Sequence, residues 1–140
     1  MIGAIIGDMV GSVYENKKIG TKDFNIFNIH SRMTDDSLLT LAVAKVFTNH
    51  FDYDFSENGL KKLQAKLIDE FINTFSHNIG AGFGYYFVKW CLQNSGQKPY
   101  NSFGNGGAMR ISPIAYVARN LDEVKLLSKK RKQNLNMSLK

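Results

Sequence analysis

"TDDSLLTLAVA", residues 34–44, sets two aspartates behind a threonine and ahead of an apolar run. A threonine hydroxyl and two adjacent carboxylates offer hard oxygen ligands at one point of the chain. Mg²⁺ or a similar cation takes such ligands, and neighbouring carboxylates can bridge two ions. Thr34, Asp35 and Asp36 do not fill an octahedral shell alone, so the segment is at most part of a site. The same letters also make an ordinary helix start. Thr34 suits an N-cap, and Asp35 and Asp36 in the first turn favour the positive end of the helix dipole.

Three other stretches offer chemistry. In "GDMVGSVYE", Asp8 and Glu15 stand seven residues apart and share a helical face if the helix continues. Such a pair can orient water or act as acid and base, and it can equally be two solvent-facing residues near a helix end. The loops "NIGAGFG" and "NSFGNGGAMR" are rich in glycine, which lets backbone N–H groups approach phosphate oxygens, with Arg110 as a source of charge. Neither is a Walker A loop, and neither follows an expected strand. Read blandly, both are closely packed or flexible turns. His30, His50 and His77 show no paired ligand spacing, and Cys91 sits on an apolar helix face, where it reads as core.

The elements that must position these residues read as helices. Gly3, Gly7 and Gly11 form one stripe on a first helix, which predicts close approach of another backbone. Residues 16–33 lack a period and read as a loop. A second helix is expected from about Asp35 to about Asn49. The third is the clearest: Leu60, Leu63, Leu67, Ile68, Phe71, Ile72 and Phe75 recur at helical spacing. "FGYYFVKWCLQN" resumes the period, with Phe83, Tyr86, Phe87, Trp90 and Cys91 on one side. In "AMRISPIAYVA" a helix is kinked or started by Pro113. Asn120 with Glu123 three residues on predicts a capped last helix running into the tail. No strand alternation appears, so the fold class is all-α.

Composition bounds the rest. At 140 residues, 44% hydrophobic and 21% charged, the sequence suits one soluble domain. A single cysteine excludes an internal disulfide. The apolar opening meets Asp8 early and lacks a basic n-region, unlike a signal peptide. No apolar run approaches the roughly 20 residues that span a membrane, so a cytoplasmic protein is expected. The net charge of +6 is local: residues 1–124 hold 12 Lys+Arg against 12 acids, and residues 125–140 hold the other six bases. The body is therefore divided from a basic tail at 124/125. A solvated tail accounts for those charges without a nucleic-acid partner.

In order and spacing, "GDMVGSVYE", "TDDS", "GAGFG" and "SFGNGGAMR" resemble the ADP-ribosylglycohydrolase family, which includes ADP-ribosyl-acceptor hydrolases and dinitrogenase-reductase-activating glycohydrolases. The resemblance covers about residues 1–120. It implies an all-α helical bundle and a metal-dependent hydrolase that uses two Mg²⁺ ions to cleave the glycosidic bond of ADP-ribosylated substrates. Its partners would be ADP-ribose or an ADP-ribosylated protein or small molecule. By position it implies Thr34, Asp35 and Asp36 as metal ligands and Glu15 as the acid near the scissile bond. Gly80 and Gly82 would form part of the diphosphate wall. Ser102, Phe103 and Gly104 would cradle the diphosphate and distal ribose, with Asn105 supporting the loop.

The departure is a second acidic cluster, D-x-D-[ST], which family members of about twice this length carry near the C-terminal end and which this sequence lacks. "DYDF" at 52–55 precedes the glycine loops and ends in phenylalanine. The expectation is the N-terminal part of such a domain, over residues 1–124, followed by a basic tail over 125–140, as in a truncated product. The bundle would be incomplete, half the metal ligands absent, and turnover by this chain alone impaired. Exposed helix faces would then favour self-association or a missing C-terminal half. The alternative is a non-catalytic remnant, or a module that binds ADP-ribose or a helical partner.

Overall fold

Helix α3, Glu57–His77, is the element on which the others lean. Its Leu60, Leu63, Leu67, Phe71 and Phe75 are buried at three- and four-residue spacing, one continuous stripe. Ser56 caps it by accepting the Gly59 N–H at 3.1 Å. The stripe packs on α2, Asp35–Asn49, through Leu39, Ala42, Val43, Val46 and Phe47. In this computed structural model the described residues are 1–16, 19–26, 28–49, 54–94, 97, 98, 100 and 104–135, with side chains described to residue 128. Among them every regular element is helical, as the periodicity predicts.

The remaining helices are α1 (Ile2–Gly11), α4 (Tyr85–Cys91), α5 (Gly106–Met109), α6 (Ile114–Val117) and α7 (Leu121–Leu135). An aromatic ladder carries the core from α3 to α4. Ring centroids of Phe75 and Phe83 lie 5.5 Å apart, Phe83 and Phe87 5.4 Å, and Phe87 and Trp90 5.7 Å. Trp90 satisfies its indole N–H on the Lys98 carbonyl at 3.0 Å.

Four expectations change. Nothing lies within 4 Å of a side-chain carbon placed on Gly3, Gly7 or Gly11, and α1 buries no residue among those described. The glycine stripe is open rather than a backbone contact. Tyr86 is 54% exposed while Phe87, Trp90 and Cys91 are buried, because a seven-residue helix turns only a narrow face inward. "AMRISPIAYVA" forms two separate single turns, α5 and α6. Pro113 stands at the N-cap of α6, where its missing N–H costs nothing. Asn120 does accept the Glu123 N–H at 2.9 Å, but the Glu123 carboxylate accepts from the Arg119 N–H instead of closing a reciprocal box. Helix α7 runs across the 124/125 boundary, and Leu127 packs in the core.

Candidate functional site

Burying a polar side chain is costly unless it is bonded, so buried polar groups mark where a fold does something besides pack. Among the described residues they are Ser12, Thr34, Ser37, Thr40 and Arg110. All five sit around the first turns of α2 or on the strips of chain that flank it.

Asp8 organises this point. Its Oδ2 accepts the backbone N–H groups of Thr34 at 2.9 Å and Ser37 at 3.2 Å, and its Oδ1 accepts the Thr34 hydroxyl at 2.5 Å. A carboxylate from α1 thus caps α2 from outside the local sequence. Ser12 ties the preceding loop down: its hydroxyl donates to the Met9 carbonyl at 2.8 Å and accepts the Arg32 N–H at 3.1 Å. Thr40 donates to the Asp36 carbonyl at 2.6 Å and reaches the Met109 carbonyl at 3.3 Å, which fastens α2 to α5.

Two cavities open on either side. One, of about 310 Å³, is lined by Asp8, Glu15, Asp36, Ser37 and Thr40, with the glycine face of α1 as one wall. The other, of about 280 Å³, is lined by Asp35, Tyr85, Tyr86, Tyr100, Asn105 and Arg110. Met109 borders both. The adjacent aspartates therefore face different spaces. Asp36 joins Asp8 and Glu15; Asp35 joins the tyrosines and the second glycine loop. Thr34 is fully buried behind them, with its hydroxyl engaged by Asp8.

The charges are poorly compensated. Burial, then Asp36, then Glu15 push Asp35 up to about 6, against its own backbone hydrogen bond and the pull of Arg110. Burial and Asp8 likewise raise Asp36, with Arg110 opposing. Arg110 is the cation both carboxylates feel. It is only 2% exposed, burial lowers it to about 10, and it stays protonated at neutral pH.

The sequence expectations land unevenly. Asp36 and Glu15 share a cavity although α1 ends at Gly11 and turns through residues 12–16. Gly104 and Asn105 line the second cavity beside Asp35. Gly82 has φ +91°, a conformation that favours glycine, and a side-chain carbon there would stand 3.8 Å from Asp35 Oδ1. Gly80 is exposed with nothing close to it. Ser102 and Phe103 lie outside the described residues. The site roles missed from sequence are the capping by Asp8 and the placement of Ser37, whose buried hydroxyl has no partner and lines the acidic cavity. Within "TDDS" nothing marks Ser37 apart from its neighbours, and only the fold shows where it lies.

Among the described residues no three His, Cys, Asp or Glu side chains converge as a finished metal set. The donors are nevertheless all oxygen, the buried Ser37 hydroxyl is orphaned, and burial together with neighbouring carboxylates raises Asp35 and Asp36. In kind this fits a hard cation; in number it leaves positions for water or other donors. Among the described residues no helix is long and apolar enough to cross a membrane.

No curated protein and no solved structure matches the chain. A family model described as ADP-ribosylglycohydrolase matches residues 1–131 of 140, and by that match the chain belongs to the ADP-ribosylglycohydrolase family.

Proposed function

We propose that the two cavities form part of a site for hydrolysing the glycosidic bond of ADP-ribosylated substrates with help from Mg²⁺. The observation that carries the reading is the gathering of buried polar groups at the head of α2, between an acidic cavity and a tyrosine- and glycine-lined one. Tyr85, Tyr86 and Tyr100 offer aromatic faces, and the Gly104–Gly106 turn offers a backbone wall for the ADP-ribose. On the acidic side, Glu15 and Asp36 supply carboxylates beside the scissile bond. In hydrolysis a water oxygen bonds to the anomeric carbon as the bond to the acceptor breaks. The water proton passes to a carboxylate such as Glu15 and the leaving group takes a proton. Mg²⁺ taking the carboxylate of Asp35 or of Asp36, behind which Thr34 is buried with its hydroxyl on Asp8, would add positive charge to offset the diphosphate.

The donor count limits this chain. Two Mg²⁺ ions need about twelve oxygen positions, and Asp35, Asp36 and Thr34 supply few of them. With so few donors, ADP-ribose binding is weak and turnover low. The test is release of free ADP-ribose from an ADP-ribosylated peptide with and without Mg²⁺. The double variant Asp35→Ala, Asp36→Ala is the control. Calorimetric silence at millimolar ADP-ribose on folded protein would overturn the reading.

A second reading, a helical interaction module, draws on the exposure of α1, where Ile2 is 73% and Ile6 55% exposed. Solution size separates the two: such a module associates without ADP-ribose.

A further inference from the structure

Arg110 is more confined than any role described so far requires. Its Nε donates to the Gly106 carbonyl, one turn back. Its guanidinium carbon lies 4.9 Å from the ring centroid of Phe71 and 5.5 Å from that of Phe87, so two core helices grip the cation by their aromatic faces. Its Nη2 stands 2.9 Å from where a side-chain carbon on Gly106 would be, so a side chain at 106 would have to displace the guanidinium. Its Nη1 is buried with no hydrogen-bond partner. A lone core arginine is expensive, and this one also lines the tyrosine cavity beside Asp35 and Asn105.

We propose that Arg110 is the positioning residue of the tyrosine cavity: the glycine turn at 104–109 is wound around a guanidinium pinned between Phe71 and Phe87, and this fixes the wall that receives ADP-ribose. Arg110 adds a side-chain anchor to the turn's own backbone bonds, in which the Ala108 N–H donates to the Asn105 carbonyl at 2.7 Å and the Ile111 N–H to the Ala108 carbonyl at 3.2 Å. Helix α5 is four residues long, Asn105 makes no side-chain cap bond, and Thr40 holds the turn only at Met109. An arginine suits the task better than lysine, because its planar fork can stack on rings while Nε bonds a carbonyl. The choice of ligand rests on the proposed function; the pinning of the turn does not.

The test is a double-mutant cycle on the full chain with Arg110→Lys and Gly106→Ala. Arg110→Lys keeps the charge and loses the fork. Gly106→Ala keeps the fork and pushes it. Each single variant is expected to speed amide exchange at residues 104–109 about tenfold, the scale of one lost charge-assisted hydrogen bond, with exchange in α2 and α3 unchanged. Each lowers ADP-ribose affinity by a similar factor and leaves Mg²⁺ affinity, measured with the metal alone, within about twofold of wild type. The double variant is no worse than either single one, because both act on one contact. Wild-type exchange at 104–109 in the single variants, or additive effects in the double, overturns the proposal. If Arg110→Lys does not fold, Gly106→Ala decides by the same local exchange. A wild type that binds no ADP-ribose would defeat the proposed function, while the exchange cycle still decides the pinning.

Discussion

Asp8 holds the first turn of α2 at Thr34, 26 positions away, accepting both the backbone N–H and the hydroxyl of that residue. The neighbouring N–H of Ser37 goes to the same carboxylate. A helix that starts a candidate catalytic site is thus capped by another helix, so the two cannot move apart without exposing unpaired donors in a buried place.

Asp8→Ala is accordingly expected to destabilise the chain by about 2 kcal/mol, the combined scale of a lost cap and stranded buried donors. Asp8→Asn keeps one acceptor oxygen and should cost about half as much. Urea unfolding followed by circular dichroism measures both. A midpoint for Asp8→Ala equal to wild type would remove Asp8 from this role.

The raised Asp35 gives a pH signature. Its folded pKa of about 6 lies above the ordinary value of 3.8, so between those values the folded state holds the proton more tightly. Stability then falls as pH rises from about 4 to 6 and stays reduced above that. A shift of two units would be worth about 2.7 kcal/mol in full, and partial exposure of the carboxylate reduces this to about 1 kcal/mol. Asp35→Asn should flatten the profile across that window and stabilise the protein at pH 7. Identical wild-type and Asp35→Asn profiles would refute this. Mg²⁺ should recover stability above pH 6 in wild type and less so in the variant.

Glu70 and Phe71 are sequence neighbours on α3 with very different weight. Glu70 pairs with Lys45 at 2.8 Å, and the lysine is half exposed. Glu70→Ala should cost no more than about 0.5 kcal/mol, because exposed pairs are screened and entropically costly. Phe71 is fully buried and carries the Arg110 guanidinium on its ring. Phe71→Leu should cost about 2 kcal/mol from lost contacts and volume, and should also weaken ADP-ribose binding. Thermal melts of the two variants check the ranking, and equal melting temperatures would contradict it.

The sequence discloses the helices better than the site. The α3 stripe from Leu60 to Phe75 is a local pattern, and it survives folding because α3 has a core on one side and solvent on the other. The Asn120 cap is legible for the same reason. "TDDS" is legible as a place, but not as an arrangement: that Asp35 and Asp36 face different cavities depends on what α1, α4 and α5 put beside them. Asp8 as the cap of α2 depends on a bond across 26 positions, which no local period encodes. The glycine stripe at Gly3, Gly7 and Gly11 shows the limit most plainly. Spacing says that a backbone can come close there; it does not say that one does.

That open stripe leads to the last prediction. Helix α1 is apolar, buries no residue among those described, and leaves Ile2 and Ile6 in solvent. A groove of about 450 Å³, lined by Met1, Ile2, Phe47, Pro113, Tyr116 and Val117, continues the apolar surface towards α6. Surface of this kind drives association when nothing covers it, and glycines on the same helix would let a second helix approach closely. The isolated chain should therefore sediment as a concentration-dependent oligomer. The double variant Ile2→Lys, Ile6→Lys should shift it towards monomer without lowering helix content, since both side chains are exposed and contribute little to the core. Analytical ultracentrifugation with circular dichroism makes the comparison. A wild type that is monomeric across the accessible concentration range, with a sharp cooperative melt, would show that this face needs no partner.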